Sequence, residues 1–233
     1  MNTQLLQLPQ LSIQSSVPIP QKQHLLILGG RPPADRWLQE VSKNRSLWAV
    51  DHGLDCLYRN QLLPQHLIGD NDSASLSAQK WCSSHAVPIH QFPTEKDRTD
   101  TQLALEIVSK QPDPFAVITG AFGGRFDHAF STIFSCAHAD LTCCLADEKE
   151  MLFFLKNDSS MSIQCNMLPS AISLLPCTAE CNGVSINNVH WTLSNRNLPQ
   201  SLPWAVSNEL REGDSFSVSL KDGILGIYLG FYE

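Results

Sequence analysis

Short apolar runs alternate with helix-like segments through roughly the first two thirds of this 233-residue chain. The runs typical of buried strands cover residues 24–30, 47–51, 67–69, 87–92 and 115–120. Apolar spacing and helix-start residues predict helices near residues 32–41, 54–58, 75–85, 99–108 and 127–137. Strands that alternate with helices predict a mainly parallel sheet covered on both faces, so we expect a three-layer α/β domain over residues 21–150.

The chain changes character after residue 150. Strand-like runs at residues 151–155, 171–175, 215–220 and 224–229 are separated by Asn, Gly, Pro and Asp turns, and no amphipathic helix is evident. Lys221-Asp222-Gly223 lies between the last two runs and predicts a hairpin turn. We therefore expect an all-β domain over residues 151–233. Residues 1–20 mix Gln, Ser, Pro and Leu without periodicity, which predicts a poorly ordered or loosely packed tail.

Composition narrows the classes of partner and compartment. A formal net charge of −7 and a pI near 5.6 argue against a nucleic-acid-binding surface, which needs clustered Lys and Arg. No secretory signal is evident before Lys22, and residues 161–179 contain too many polar residues and prolines for a membrane span. The eight cysteines form no Cys-x-x-Cys pair, so we expect reduced thiols in a cytoplasmic protein rather than a metal site or disulfides.

Acidic residues and a glycine close several of the predicted strands. Asp51, Asp70 and Gly120 each stand at the C-terminal end of a strand. In open parallel sheets, ligands bind outside the carboxyl ends of the strands. The sequence therefore predicts one ligand site where these three residues meet.

The stretch Gly69-Asp70-Asn71-Asp72-Ser73 carries two carboxylates separated by one residue. Carboxylates held this close repel each other unless a cation lies between them, and a hard divalent ion such as Mg²⁺ takes oxygen ligands. For an isolated Asp-x-Asp, a solvated Asx turn is an equally good interpretation. Two clusters further along the chain favour the metal.

The first of these clusters is Glu95-Lys96-Asp97-Arg98-Thr99-Asp100, which opens a predicted helix. Asp100 could add a metal ligand, and Lys96 or Arg98 could neutralise phosphate oxygens, although charged helix starts also occur without a ligand. The second cluster is the stretch from Gly120 to His128, which follows a strand. Its glycines expose backbone N–H groups, the next helix start adds positive potential and Arg125 offers a planar fork, so this stretch predicts an anion cradle.

Together and in this order, the three clusters resemble the signature of the thiamine pyrophosphokinase family. That signature reads G-D-x-D-S at a strand end, K-D-x-T-D opening a helix, and a G-G-R-x-D-H loop, which the chain carries at residues 69–73, 96–100 and 123–128. Residues 49–55 resemble the family's A-D-G-G-A-N element, with His52 in place of a glycine and Asp55 in place of Asn. Val206-Ser207-Asn208-Glu209 resembles its S-N-E stretch, so the resemblance runs from about residue 24 to the C-terminus.

The resemblance implies a homodimer that transfers the pyrophosphoryl group of ATP to the hydroxyl of thiamine, releasing AMP. Each chain would combine an α/β catalytic domain with a C-terminal β-sandwich. Mg²⁺ would be held by Asp70, Asp72 and Asp100, which complete the catalytic set with Arg125. Contacts to the nucleotide are implied for Asp51, Gly53, Lys96, Asp97, Thr99, Gly123, Gly124, Arg125, Asp127 and His128. For His128, a structural hydrogen bond is the alternative role.

Thiamine is a flat cation, for which an aromatic face is the expected partner. The resemblance implies that Ser207 and Asn208 help to bind it. Trp191 is the preferred aromatic partner because the family tends to carry an aromatic residue at that place. Trp204 is the other candidate, and burial in the sandwich core is the alternative for both tryptophans.

Three other functions are weighed against this one. An enzyme that makes a diphosphate of a pterin alcohol would keep the metal and phosphate clusters but change the acceptor pocket. A phosphatase of the D-x-D-x-[TV] type fits less well, since Ala74 stands where Thr or Val would help. A non-catalytic nucleotide-binding module is disfavoured by the intact set of Asp70, Asp72, Asp100 and Arg125.

Overall fold

The computed structural model describes residues 5–69, 73–92, 97–112 and 114–232. The chain divides into two compact units. The α/β unit covers Lys22–Asp147, and the β unit combines Met1–Gln21 with Glu148–Glu233. Asp70, Asp72 and Lys96, which the sequence predicts as site residues, lie outside the described residues.

The helices and strands are numbered in chain order. The first part of the chain contains β1 (Leu5–Leu8), β2 (Leu11–Ser15), β3 (Gln23–Ile27), α1 (Asp35–Val41), β4 (Arg45–Val50), α2 (Gly53–Arg59), β5 (His66–Gly69), α3 (Leu76–Ser84), β6 (Ile89–Gln91) and α4 (Asp100–Ser109). The rest contains β7 (Phe115–Thr119), α5 (Phe126–Ala137), β8 (Thr142–Ala146), β9 (Glu150–Lys156), β10 (Ser159–Cys165), β11 (Ala171–Pro176), β12 (Glu180–Asn187), β13 (Leu193–Pro199), β14 (Ser215–Leu220) and β15 (Ile224–Gly230).

Strands β3 to β8 form a parallel sheet in the α/β unit, in the order β8-β7-β3-β4-β5-β6. The central strands β3 and β7 are buried along their whole length. Such strands read as continuous apolar runs because helices cover both faces of the sheet. Helix α1 buries Trp37, Leu38 and Val41, as its spacing predicts. The strand and helix predictions for this unit are confirmed.

The β unit is antiparallel. One sheet has the order β1-β2-β10-β14-β12-β13, and strands β11, β15 and β9 pair in a second group. Strand β10 alternates buried and exposed residues from end to end, the pattern of a sheet with one packed face. Ile163 of β10 lies opposite Ile13 on one side and Phe216 on the other, and all three side chains are buried. An α/β region followed by a β-sandwich is therefore confirmed.

The prediction of a loose N-terminal tail is wrong for residues 5–15. Strands β1 and β2 form a hairpin around Pro9 and Gln10, and β2 pairs with β10. Leu6, Leu8 and Ile13 are buried in the β unit. Their period-two spacing spans only a few residues on either side of a turn, which is too short for a pattern to stand out from the flanking polar residues.

The predicted hairpin at Lys221-Asp222-Gly223 is also wrong. Strand β14 pairs with β10 and β12, whereas β15 pairs with β9 and β11. The turn therefore carries the chain from one group of strands to the other. Asn182 fixes it by donating its backbone N–H to Asp222 O at 2.9 Å and accepting from Lys221 N at 3.1 Å. Turn residues show that the chain reverses, but not which strands pair afterwards.

All eight cysteines are free and buried. In the part of the chain that the structure describes, no helix is both long and apolar enough to cross a bilayer.

Candidate active site

A pocket of about 720 Å³ opens at the carboxyl ends of β3, β4 and β7 in the α/β unit. Its walls are the loops that follow these three strands and the start of α5. Asp51 and Gly120 both line it, so the structure brings together two of the three strand-end residues that the sequence predicts to meet, and the third, Asp70, lies outside the described residues.

Asp51 lies directly after β4, in the left-handed region with φ 49°. Its backbone N–H donates to Ile68 O at 3.0 Å, which ties it to the neighbouring strand β5. A Cβ added to Gly69 would come within 2.3 Å of Asp51 Oδ1. The Asp51 carboxylate therefore fills the space beside the last residue of β5, immediately before the predicted metal ligand Asp70.

Gly53 is not among the described residues that line the pocket, although the resemblance implies a nucleotide contact there. It is the first residue of α2, and a Cβ at this position would lie 1.8 Å from Ile27 O. A glycine at this position thus lets α2 pack against β3. The preceding residue, His52, lines the pocket instead.

Gly123 and Gly124 form the loop between β7 and α5. Both have left-handed backbone angles, with φ 70° and 66°, which favour glycine. Both line the pocket, as predicted. A turn of this kind can expose successive backbone N–H groups, which bind anions where they form a concave surface.

Arg125 and Asp127 form a two-point ion pair at the start of α5. Arg125 Nε donates to Asp127 Oδ1 at 3.1 Å, and Nη2 donates to Oδ2 at 2.5 Å. This contact holds the pKa of Asp127 below its usual range, helped by the His128 N–H that donates to Oδ1 at 3.0 Å, and it raises the pKa of Arg125. Arg125 and His128 line the pocket, so this ion pair lies at its edge.

The start of α4 gives its predicted residues different positions. Thr99 is the N-cap: its hydroxyl accepts from Gln102 N at 3.3 Å, and its N–H donates to Gln102 Oε1 at 3.0 Å. This capping box gives Thr99 a structural role. Asp100 is the half-buried first residue of the helix, and its neighbour Thr101 lines the pocket.

Two charged residues beside this helix start lie in exposed positions. Arg98, which the sequence predicts as a possible partner for phosphate, forms an ion pair with Glu106 of α4. Asp97 is exposed.

Among the described residues alone, no three His, Cys, Asp or Glu side chains gather in a group able to hold a metal. The predicted set of Asp70, Asp72 and Asp100 draws two of its members from outside those residues. The assignment of Mg²⁺ to this set therefore stays a prediction.

Sequence reasoning missed Arg31, which lines the pocket from the loop after β3. Its side chain reaches Asp147, with Nη2 at 2.6 Å and Nε at 3.1 Å from Oδ2. A signal was present, because Gly-Gly-Arg occurs twice, at residues 29–31 and 123–125, each time shortly after a buried strand. Both copies contribute to the same pocket.

In the β unit, Asn208 is bound to the backbone around Trp191. Asn208 Oδ1 accepts from Trp191 N at 3.1 Å and from Glu209 N at 3.0 Å, and Nδ2 donates to Trp191 O at 2.8 Å. Ser207 lies in the left-handed region with φ 58°, and its N–H donates to Ser173 Oγ at 3.1 Å. The S-N-E stretch is thus the clamp that holds the loop of Trp191.

Trp191 and Trp204 both lie at the surface of the β unit, 58% and 45% exposed. A place in the sandwich core is therefore wrong for both side chains. The His190 ring meets the Trp191 ring edge-on, with centroids 4.4 Å apart. An exposed indole on a clamped backbone offers a flat aromatic face to a ligand.

Two family models match this chain. Residues 37–145 match the thiamin pyrophosphokinase catalytic domain, and residues 160–225 match the thiamin pyrophosphokinase vitamin B1 binding domain. A thiamine pyrophosphokinase from Bacillus subtilis (strain 168) is 25% identical over 190 residues, which cover 79% of this chain and 88% of that relative.

Solved structures of similar fold carry the same description. A thiamine pyrophosphokinase from Bacillus subtilis superimposes with a TM-score of 0.77 at 23% identity, over 91% of this chain and 100% of that chain. A thiamin pyrophosphokinase from yeast gives a TM-score of 0.72 at 18% identity, over 91% and 87% of the two chains. At these identities the structures establish the shared fold.

Proposed function

Because this chain belongs to the thiamin pyrophosphokinase family, we propose that it transfers the pyrophosphoryl group of ATP to the hydroxyl of thiamine, giving thiamine diphosphate and AMP. The observation that carries the proposal is the order of the two family models along one chain, with the catalytic model covering most of the residues that line the pocket, including Gly123, Gly124 and Arg125.

The pocket residues suit a reaction that consists mostly of holding charge in place. Phosphoryl transfer requires little covalent work from the protein and much alignment and neutralisation of oxygens. The backbone of Gly123 and Gly124 would bind phosphate oxygens, and the start of α5 adds positive potential. Asp127 accepts from the Nε and Nη2 atoms of Arg125, which leaves Nη1 of the guanidinium to stabilise charge on the transferring group.

We further propose Mg²⁺ as the cofactor, held by Asp70, Asp72 and Asp100. The described residues fit this ion, since the buried Oδ1 of Asp51 lies against Gly69 and brings a carboxylate to the same strand end. When bound, the ion neutralises phosphate oxygens and orients them. Asp72→Asn should therefore weaken Mg²⁺ binding in calorimetry and abolish turnover, and wild-type activity of this variant at low Mg²⁺ would contradict the assignment.

For thiamine we propose Trp191 as the stacking partner and Ser207 and Asn208 as the residues that shape its surroundings. The exposed indole can face a cation, and Asn208 fixes the backbone that carries it. We propose a homodimer in which residues of both chains complete each site. If so, Asp72→Asn protein mixed with Asn208→Ala protein should give more activity than the two parents together, at a thiamine concentration below the raised KM of Asn208→Ala, because each mixed dimer has one site with both native residues. No such gain after demonstrated subunit exchange would mean that each site is built within one chain.

A cytoplasmic location completes the proposal, because eight free, buried thiols suit a reducing compartment.

The direct test is the formation of AMP from ATP, followed with thiamine, with a pterin alcohol and with neither acceptor. We expect AMP and thiamine diphosphate in equal amounts only when thiamine is present. AMP formed with the pterin alcohol instead would assign a different acceptor, and ATP binding without AMP formation under any condition would make the chain a nucleotide-binding module.

A further inference from the structure

Arg31 is joined to the glycine loop at 120–124 by backbone contacts. Gly30 N donates to Gly120 O at 2.8 Å, and Arg31 N donates to Phe122 O at 2.7 Å. A Cβ added to Gly123 would lie 2.8 Å from the Arg31 Cβ, so the two loops touch. A shift of the Arg31 backbone would therefore disturb the glycine loop.

The guanidinium of Arg31 is bound by a buried carboxylate. Nη2 and Nε both donate to Asp147 Oδ2, at 2.6 and 3.1 Å. The Asp147 side chain is fully buried, while Arg31 remains 27% exposed. A buried carboxylate is stable only when it is paired, so Asp147 fixes the position of Arg31 strongly.

The strand order explains why this ion pair acts on the loop. Arg31 follows β3 and Asp147 follows β8, and β7 lies between those two strands. The glycine loop begins at the end of β7. The ion pair therefore spans the strand end from which the loop emerges, joining residues that are 116 positions apart in the sequence.

We propose that Arg31, oriented by Asp147, is a positioning residue for the nucleotide: it holds the glycine loop in the shape that binds the phosphates of ATP. The proposal rests on the proposed function of the pocket. Its consequence is selective. Loss of the ion pair should weaken ATP binding and leave the affinity for thiamine unchanged, because the contact lies within the α/β unit.

The test measures ATP binding to the full-length protein by calorimetry without thiamine, together with KM for both substrates. Arg31→Met, Asp147→Asn and the double variant should all weaken ATP binding to the same extent, on the order of tenfold, the lower end of the loss found when a group that orients a metal ligand is removed. Arg31→Lys keeps the charge but loses the two-point contact, and it should fall between wild type and Arg31→Met.

Arg59→Met is the matched control. Arg59 forms an exposed ion pair with Asp35, with Nη2 and Oδ1 3.1 Å apart. The pair lies in the same unit but outside the pocket lining, so the variant removes the same charge at a distance from the pocket. This variant should bind ATP as wild type does.

Three results would overturn the proposal: wild-type ATP binding by Arg31→Met and Asp147→Asn, an equal loss of thiamine affinity, or a double variant whose loss is the product of the two single losses. The last result would mean that Arg31 and Asp147 act independently. A wild-type protein that binds ATP but forms no thiamine diphosphate would instead refute the proposed function, and the binding comparison would still stand.

Discussion

Replacing Asn208 with alanine separates the two roles that the S-N-E stretch could have. The change removes three hydrogen bonds, two to the backbone of Trp191 and one to Glu209 N. Each such bond contributes about 0.5–1.5 kcal/mol net, and water can replace part of it at this exposed site. We expect the free energy of unfolding to fall by roughly 1–2 kcal/mol, measured by urea denaturation.

The effect on thiamine follows from the loosened indole. A cation held over an aromatic face gains about 0.5–2 kcal/mol, so losing this contact should raise the KM for thiamine roughly 2- to 30-fold. The KM for ATP should stay unchanged, because Asn208 lies in the β unit and the glycine loop that we propose for phosphate lies in the α/β unit. Steady-state rates with thiamine varied at saturating ATP measure the change.

Two further variants make this prediction strict. Trp191→Ala should raise the thiamine KM as Asn208→Ala does. The double variant should raise the thiamine KM no further, since both changes remove the same contact between thiamine and the indole of Trp191. Asn157→Ala is the control, because it removes an amide oxygen that accepts from Gly223 N at 2.8 Å in the same unit without touching Trp191. If Asn208→Ala raised the thiamine KM in a protein already lacking Trp191, Asn208 would contact thiamine directly and the clamp would not be its role.

Other parts of the chain give three more predictions. Gly123→Ala should weaken ATP binding more than Gly124→Ala. Both changes cost about 1–2 kcal/mol because the backbone is left-handed, but of the two only a Cβ at residue 123 would contact another residue. Equal losses of ATP affinity would contradict this. Burial is the main cause of the lowered pKa of both His24 and His66. The free energy of unfolding should therefore keep its full value above about pH 6.5 and fall as the pH drops below it. A urea midpoint no lower at pH 5.5 than at pH 7.5 would contradict this. Thiol reagents should label the native protein slowly at pH 8 and all eight cysteines after denaturation, because burial raises the pKa to about 11 in Cys82, Cys165 and Cys177; rapid labelling of the native protein would refute it.

The α/β unit could be predicted from sequence because its strands carry a local signal. Strands buried on both faces are continuous apolar runs, and the residues at their carboxyl ends must meet wherever the sheet is parallel. This reasoning predicts the positions of Asp51 and Gly120 at the pocket, and the glycine loop after β7 predicts those of Gly123, Gly124 and Arg125.

Contacts between distant residues could not be predicted in the same way. No local sequence pattern links Arg31 to Asp147. The two residues pair after strands β3 and β8, which lie on either side of β7. Asn208 matches a family stretch, but its sequence does not reveal that its amide binds the backbone of Trp191. Sequence similarity thus predicts candidate site residues, whereas the structure shows which neighbour each one contacts.

The fate of labelled phosphorus tests the proposed reaction most directly. ATP labelled at the γ-phosphorus, incubated with thiamine and the protein, should give thiamine diphosphate that carries the label, with unlabelled AMP in equal amount. This result requires transfer of the β- and γ-phosphoryl groups as one unit. Label found in thiamine monophosphate together with ADP, or released as inorganic phosphate with unmodified thiamine, would contradict pyrophosphoryl transfer.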